Sequence, residues 1–182
     1  MVKTRHATSA DLAEILRVHE SAFGEVEGPE IVGLVTGLLG DRTALPLHSL
    51  VAETDGRVVG HILFTAVRLP SGPRPVLAQI LAPLAVSSDF QAQGVGISLV
   101  NDGLKGLAAA GVELVFVLGH PGYYPRFGFR PAGVLGFEAP YPIPPHNEDA
   151  WMVHELQPGT IGTVRGKIQC ALTLDQPQHW RE

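Results

Sequence analysis

Residues 84–97 read Leu84-Ala85-Val86-Ser87-Ser88-Asp89-Phe90-Gln91-Ala92-Gln93-Gly94-Val95-Gly96-Ile97, and this stretch decides the fold. An apolar strand end gives way to a polar loop, and two glycines then open a helix. That helix, Gly94–Ala110, places Val95, Leu99, Leu104 and Leu107 along one face. A helix N-terminus presents unpaired N–H groups and the positive end of the helix dipole. Glycines there let an anion approach the backbone, so the loop is a candidate phosphate cradle. The alternative is a glycine-rich helix start that holds nothing. No lysine follows in the G-x-x-x-x-G-K-[ST] pattern, which argues against a nucleotide-hydrolysing P-loop. Leu99 stands where a dinucleotide fingerprint needs its third glycine.

Working outward, Val2–Ala7 reads as an edge strand and Thr8-Ser9-Ala10-Asp11 as a capping box. A helix follows with Leu12, Ile15, Leu16, His19 and Phe23 on one stripe. Gly24–Gly28 breaks it, and Pro29 suits the first position of a second helix running through Ile31–Leu39 to Gly40. Ser49–Thr54 and Arg57–Val67 flank Asp55-Gly56, a strong hairpin turn. After a turn-rich Pro70–Pro75 comes a strand at Val76–Val86. Pro83 within it cannot donate to a ladder and marks a bulge or an edge. Val112–Leu118 reads as a buried strand, Gly119–Gly128 as turn-like, and Phe129 as resuming a strand. Pro140–Pro145 is a stiff loop, and Ala150–Leu156 and Thr163–Leu174 read as two more strands. The fold class is mixed α/β, with a mostly antiparallel central sheet flanked by helices, rather than a doubly wound parallel sheet.

The chain has 182 residues, enough for one domain and tight for two. Apolar residues at 45% and a mean hydropathy of +0.17 supply a core and exclude general disorder. Glycine and proline together number 36, from 21 and 15, which demands many turns or close backbone approaches. Thirteen Lys and Arg against eighteen Asp and Glu give −5 with no basic run, which disfavours nucleic acid as a partner. The lone Cys170 cannot form an internal disulfide and reads as core filler in a reducing compartment. No apolar run reaches the ~20 residues of a membrane span, and the start is polar. A cytoplasmic protein without a membrane partner is the expectation. The eight histidines are dispersed, with no H-x-x-x-H or C-x-x-C, so no metal site is expected.

Gln91-x-x-Gly94-x-Gly96, between a strand and an amphipathic helix, resembles the [QR]-x-x-G-x-[GA] acyl-CoA signature of the GNAT-type N-acetyltransferases. A second segment, Tyr123-Tyr124-Pro125-Arg126-Phe127-Gly128-Phe129, is similar to the Y-x-x-x-G-F pattern that follows that family's fifth strand. The resemblance covers roughly residues 2–135 of a single domain spanning 1–182. Residues 136–182 form a β-rich C-terminal extension like that of a bacterial subfamily. The resemblance implies acetyl-CoA as cofactor and an amine, small-molecule or peptide, as acceptor. It implies that Leu84, Ala85 and Val86 splay from Val112–Leu118 to pair with the pantetheine arm. It implies that the backbone of Gln91, Ala92, Gln93, Gly94, Val95, Gly96 and Ile97 holds the pyrophosphate. Tyr124 would protonate the departing thiolate as general acid, with Tyr123 as second choice.

The proton acceptor is harder to place. The family often uses a glutamate on the fourth strand, but Gln79 is the only polar side chain of Val76–Val86. Glu53, His61, His120, Glu25, Glu27 and a water chain are the candidates. His61 lies on an apolar strand and reads first as a satisfied interior histidine. The missing strand carboxylate keeps a non-catalytic acyl-CoA-binding or regulatory domain as the alternative, and an interaction subunit as a third class. The Pro140–Pro145 loop and the strands after it would wall the acceptor cleft or form the interface of a homodimer.

Overall fold

The apolar runs Ser49–Thr54 and Arg57–Val67 on either side of Asp55-Gly56 produce the central hairpin of the computed structural model, which describes residues 1–181. Strands β1 (Lys3–His6), β2 (His48–Thr54), β3 (Arg57–Val67), β4 (Ala78–Val86), β5 (Leu114–Leu118), β6 (Arg130–Pro131) and β8 (Trp151–Glu155) form one sheet. Its order is β1-β2-β3-β4-β5-β8-β6. Within this sheet the β4–β5 pair alone is parallel among the described residues. A small second sheet joins β7 (Phe137–Glu138) to β9 (Gly166–Lys167). Helix α1 (Leu12–Leu39) packs on β3 and β4, and α2 (Val95–Ala109) covers β2 and β3 from the other face. Among the described residues no helix is long and apolar enough to cross a membrane.

Two helices expected on either side of Gly24–Gly28 form one bent element. The break is confined to Gly24, whose φ of 76° and ψ of −170° leave the helical region. Helical geometry resumes at once, so Pro29 lies inside the second arm rather than at its first position. Counted from Glu25 it is the fifth residue of that arm, past the four amides that lack an acceptor, so its missing N–H forgoes the bond to the Glu25 carbonyl. The Thr8–Asp11 capping box is present, with the Thr8 N–H donating to Asp11 Oδ2 at 2.7 Å. Asp11 is also held by the Arg5 guanidinium at 2.8 and 2.9 Å, which together with the Thr8 amide keeps its carboxyl far below the usual carboxylate range.

Pro83 sits at a ladder irregularity. Ile62 pairs with Leu84 and Phe64 with Leu81, so Ala82 and Pro83 together face Leu63. On its other side β4 pairs with β5 only from Ala78↔Leu114 to Leu81↔Val117. Beyond that point the two strands share no registered pairs, and a wedge opens between them.

The C-terminal extension differs from expectation in one respect. Thr163–Leu174 is not a strand: only Gly166–Lys167 pairs as one, with isolated bridges from Arg68 to Gln169 and from Ile161 to Val164. Val164, Ile168 and Cys170 are buried while Arg165, Lys167 and Gln169 are exposed. The alternation that reads as a strand is an extended chain packing on the core cluster of Trp151, Phe116 and Phe137, and it has no full-length partner edge. Asp41 fixes its end. The Asp41 carboxylate accepts from Thr173 N–H at 2.9 Å and Thr173 Oγ1 at 2.7 Å, and from Thr43 on its own turn.

Candidate active site

The wedge between β4 and β5 leads into two adjoining clefts that share Phe23, Leu84 and Tyr123. The first, of about 540 Å³, is bounded by Leu84, Ala85, Val86, Gln91, Ala92, Gly94, Val95, Gly96 and Ile97. These are the residues singled out by the sequence, with one exception. Gln93 does not line the cleft, and its carboxamide turns back to donate to the Asp89 carbonyl at 3.2 Å. Gln91 donates through Nε2 to the Val86 carbonyl at 3.0 Å, tying the loop to the end of β4. Phe23 and Arg126 also border the cleft, and the sequence reading missed both as site residues. Arg126 lies within the Tyr123–Phe129 motif, so its position was a usable signal. Its guanidinium stacks over the Tyr123 ring at 4.6 Å and donates to the Tyr123 carbonyl at 2.9 Å.

The loop is shaped for an anion. Ala92 has φ 60° and Gly94 φ 84°, and both turn the backbone sharply before the helix. The first helical bond runs from Ser98 N–H to the Gly94 carbonyl at 3.0 Å. The amides of Val95, Gly96 and Ile97 therefore have no intrahelical acceptor and sit at the positive helix end. A Cβ on Gly94 would meet nothing within 4 Å, whereas one on Gly96 would come 2.7 Å from Tyr123 Oη. Open amides, left-handed turns, a bare helix start and one arginine suit a pyrophosphate.

The second cleft, of about 580 Å³, lies between the open end of β4 and that of β5. Leu34, Ile80 and Trp180 contribute apolar walls, and Tyr124 and His120 enter from the turn after β5. Tyr124 is 8% exposed, and its ring lies against Gly119, where a Cβ would fall 2.4 Å from Cε2. The segment that reads as turn-like holds a short 3-10 turn, Tyr124–Phe127, closed by Gly128 at φ 99°. Tyr123 packs edge-on against Tyr124 at 5.1 Å. Burial raises the Tyr123 phenol above its ordinary value, with Arg126 opposing.

The expected proton acceptors separate sharply. Glu53 pairs with Arg5 at 2.9 Å on β2, two strands from β4, and does not reach either cleft. His61 is wholly buried: His19 Nε2 lies 2.8 Å from its Nδ1 and Ser49 Oγ 2.8 Å from its Nε2. Burial lowers the pKa of both histidines, holding them neutral. Glu25 does not line the cavity, whereas Glu27 and His120 do. The structure adds Glu30, one turn beyond Glu27 on α1, and Gln178, His179 and Trp180 from the C-terminal end. The extension thus supplies a wall of this cleft. The Pro140–Pro145 loop borders a separate depression with Phe137 and Trp151 instead. Cys170 is buried away from both clefts, which pushes its thiol up to about 12.

A mixed sheet split beside its only parallel pair, with a glycine-opened helix at the split, defines an acyl-CoA-type N-acyltransferase fold. The chain belongs to the GNAT acetyltransferase family, whose domain model, Acetyltransferase (GNAT) domain, matches residues 3–132. It is 43% identical over 170 residues to YjhQ of Escherichia coli strain K12, described as an uncharacterized N-acetyltransferase, with 92% of each chain covered. The solved E. coli GNAT family N-acetyltransferase YhbS in complex with CoA is similar at a TM-score of 0.85 and 27% identity, over 96% of this chain and 92% of that one. A Brucella melitensis GNAT family acetyltransferase in complex with acetyl-CoA gives 0.71 and 28%, over 96% and 99%.

Proposed function

We propose that the chain transfers an acetyl group from acetyl-CoA to an amine by direct attack, with Tyr124 as general acid. The observation that carries this reading is the junction itself. The open end of β4, the bare start of α2 and Tyr124 border two clefts that meet at Leu84 and Tyr123. Leu84, Ala85 and Val86 would flank the pantetheine arm, and the amides of residues 91–97 would take the pyrophosphate, aided by Arg126. Acetyl-CoA supplies the activated acyl group as a thioester. Tyr124, fixed between Tyr123 and Phe129, would present its hydroxyl proton to the leaving sulfur. The relatives crystallised with CoA and acetyl-CoA support the cofactor assignment. Positioning supplies the rest of the rate, since holding two reactants in line replaces a bimolecular encounter.

Tyr124→Phe tests the acid role. Thiol release in the presence of amines should fall by about 10²-fold or more, the range of a lost acid, while acetyl-CoA affinity holds. Unchanged turnover would remove the role. The second reading, acyl-CoA binding without catalysis, is favoured by one observation: Gln79 of β4 is buried and turned to the Pro46 carbonyl, so β4 offers no base. Acetyl-CoA binding without turnover across a broad amine panel would establish it.

A further inference from the structure

An amine that becomes an amide must lose a proton, and β4 offers no group to take it. Glu53 and His61 are excluded by position. His120 lies in the acceptor cleft, but its Nδ1 accepts the Gly122 backbone N–H at 2.9 Å. An amide N–H only donates, so neutral His120 carries its own proton on Nε2 and offers the cleft a donor, not a lone pair. Glu27 and Glu30 stand exposed at the mouth, where water competes for them.

His179 differs from all of these. Its side chain lines the acceptor cleft and is 11% exposed, with Nδ1 3.7 Å from Glu30 Oε1. That separation is within ion-pair range and longer than a hydrogen bond, as is common for catalytic contacts before substrate binds. The backbone beneath it is anchored. Trp180 is 2% exposed, donates from Nε1 to the Leu174 carbonyl at 3.0 Å, and meets Trp151 edge-on at 5.7 Å. A carboxylate facing Nδ1 favours the Nδ1–H tautomer and leaves the Nε2 lone pair free. We propose that His179 is the general base of the acetyl transfer and that Glu30 is its positioning residue. This rests on the acetyltransferase reading above.

The balance is simple. The lone pair of the neutral amine nitrogen forms the bond to the acetyl carbon, and the C–S bond pair leaves with sulfur. One proton passes from nitrogen to His179 Nε2, and one from Tyr124 Oη to sulfur. A proton then returns from the imidazolium to the Tyr124 phenolate through solvent. The titratable and charged groups around His179 are Glu27 and Glu30 on α1, and His120, Tyr123 and Tyr124 from the segment after β5. Asp175 and Arg181 flank it on its own segment. The cleft lining contains no Lys or Arg.

Two measurements test this. The first needs no turnover, and its tautomer reading needs no variant: two-bond ¹H–¹⁵N NMR of the imidazoles in the wild-type chain, each ring assigned through its own backbone resonances. The His179 ring should hold its proton on Nδ1 and titrate below its ordinary 6.5, and Glu30→Gln should lower that midpoint further. An Nε2–H ring overturns the proposal even where the variant fails to fold. The second is the pH profile of kcat/KM for acetyl transfer to a primary amine. His179→Gln should lose about 100-fold or more at pH 7, along with the acid limb, while binding acetyl-CoA as the wild type does. Glu30→Gln should lower kcat/KM at pH 7 less than His179→Gln does and move the acid limb to lower pH. An active wild type with His179→Gln unchanged overturns this assignment alone. A wild type that transfers acetyl to no amine overturns the function reading, and this assignment with it.

Discussion

Replacing Gly119 by alanine should cripple acetyl transfer by displacing the Tyr124 ring. Gly119 directly follows β5, donates its N–H to the Ala150 carbonyl at 2.9 Å and is not among the glycines of positive φ, so alanine's backbone is tolerated there. The added Cβ would lie 2.4 Å from Tyr124 Cε2 and 2.8 Å from Cδ2. Ordinary contact begins near 3.4 Å, so the ring must retreat by about 1 Å. It has little room to do so, because Tyr123 and Phe129 pack against it with centroids at 5.1 and 5.7 Å. Overpacking of this kind costs about 1–3 kcal/mol of stability. A misplacement of about 1 Å at a reacting group costs about 10²-fold in rate. The assay pairs kcat for acetyl transfer with acetyl-CoA affinity and a thermal melt. The expected result is a kcat down by about 10²-fold, near-normal acetyl-CoA affinity and a modestly lower Tm. A variant with wild-type kcat would refute both the placement of the ring and its role.

Other outcomes follow from the same geometry. Gly96→Ala removes a helical glycine, which by propensity alone adds up to about 1 kcal/mol. Its Cβ would meet Tyr123 Oη at 2.7 Å, so calorimetry should show acetyl-CoA binding weakened by about tenfold with Tm unchanged or higher. Burial lowers the pKa of His19 and His61, so the folded state resists their protonation. The unfolded chain then binds more protons below 6.5, and urea midpoints should fall as pH drops from 7 to 5. A His19→Leu variant should flatten that slope, and an equally steep slope would contradict the assignment.

The sheet was legible because its strands carry their own punctuation: Asp55-Gly56 turns the hairpin and Pro83 marks the bulge. The cleft beside α2 was legible because a glycine-opened helix start after a strand is written in one short segment, and Gly94 and Gly96 line that cleft. The acceptor side was not. Glu30 and His179 lie 149 positions apart and meet only because Thr173 is pinned to Asp41 and Trp180 is buried against Trp151. Nothing local distinguishes His179 from the other seven histidines. His61, which sits on the central hairpin, is engaged at both nitrogens by partners from α1 and β2 that no local pattern pairs with it. Thr163–Leu174 misled for a related reason: alternating burial reports packing against a core, and a strand also needs an edge to pair with.

Titration of the wild-type chain with acetyl-CoA by isothermal calorimetry tests the central claim most directly. The account predicts saturable binding at one site per chain. Absence of any heat of binding up to millimolar acetyl-CoA would contradict it.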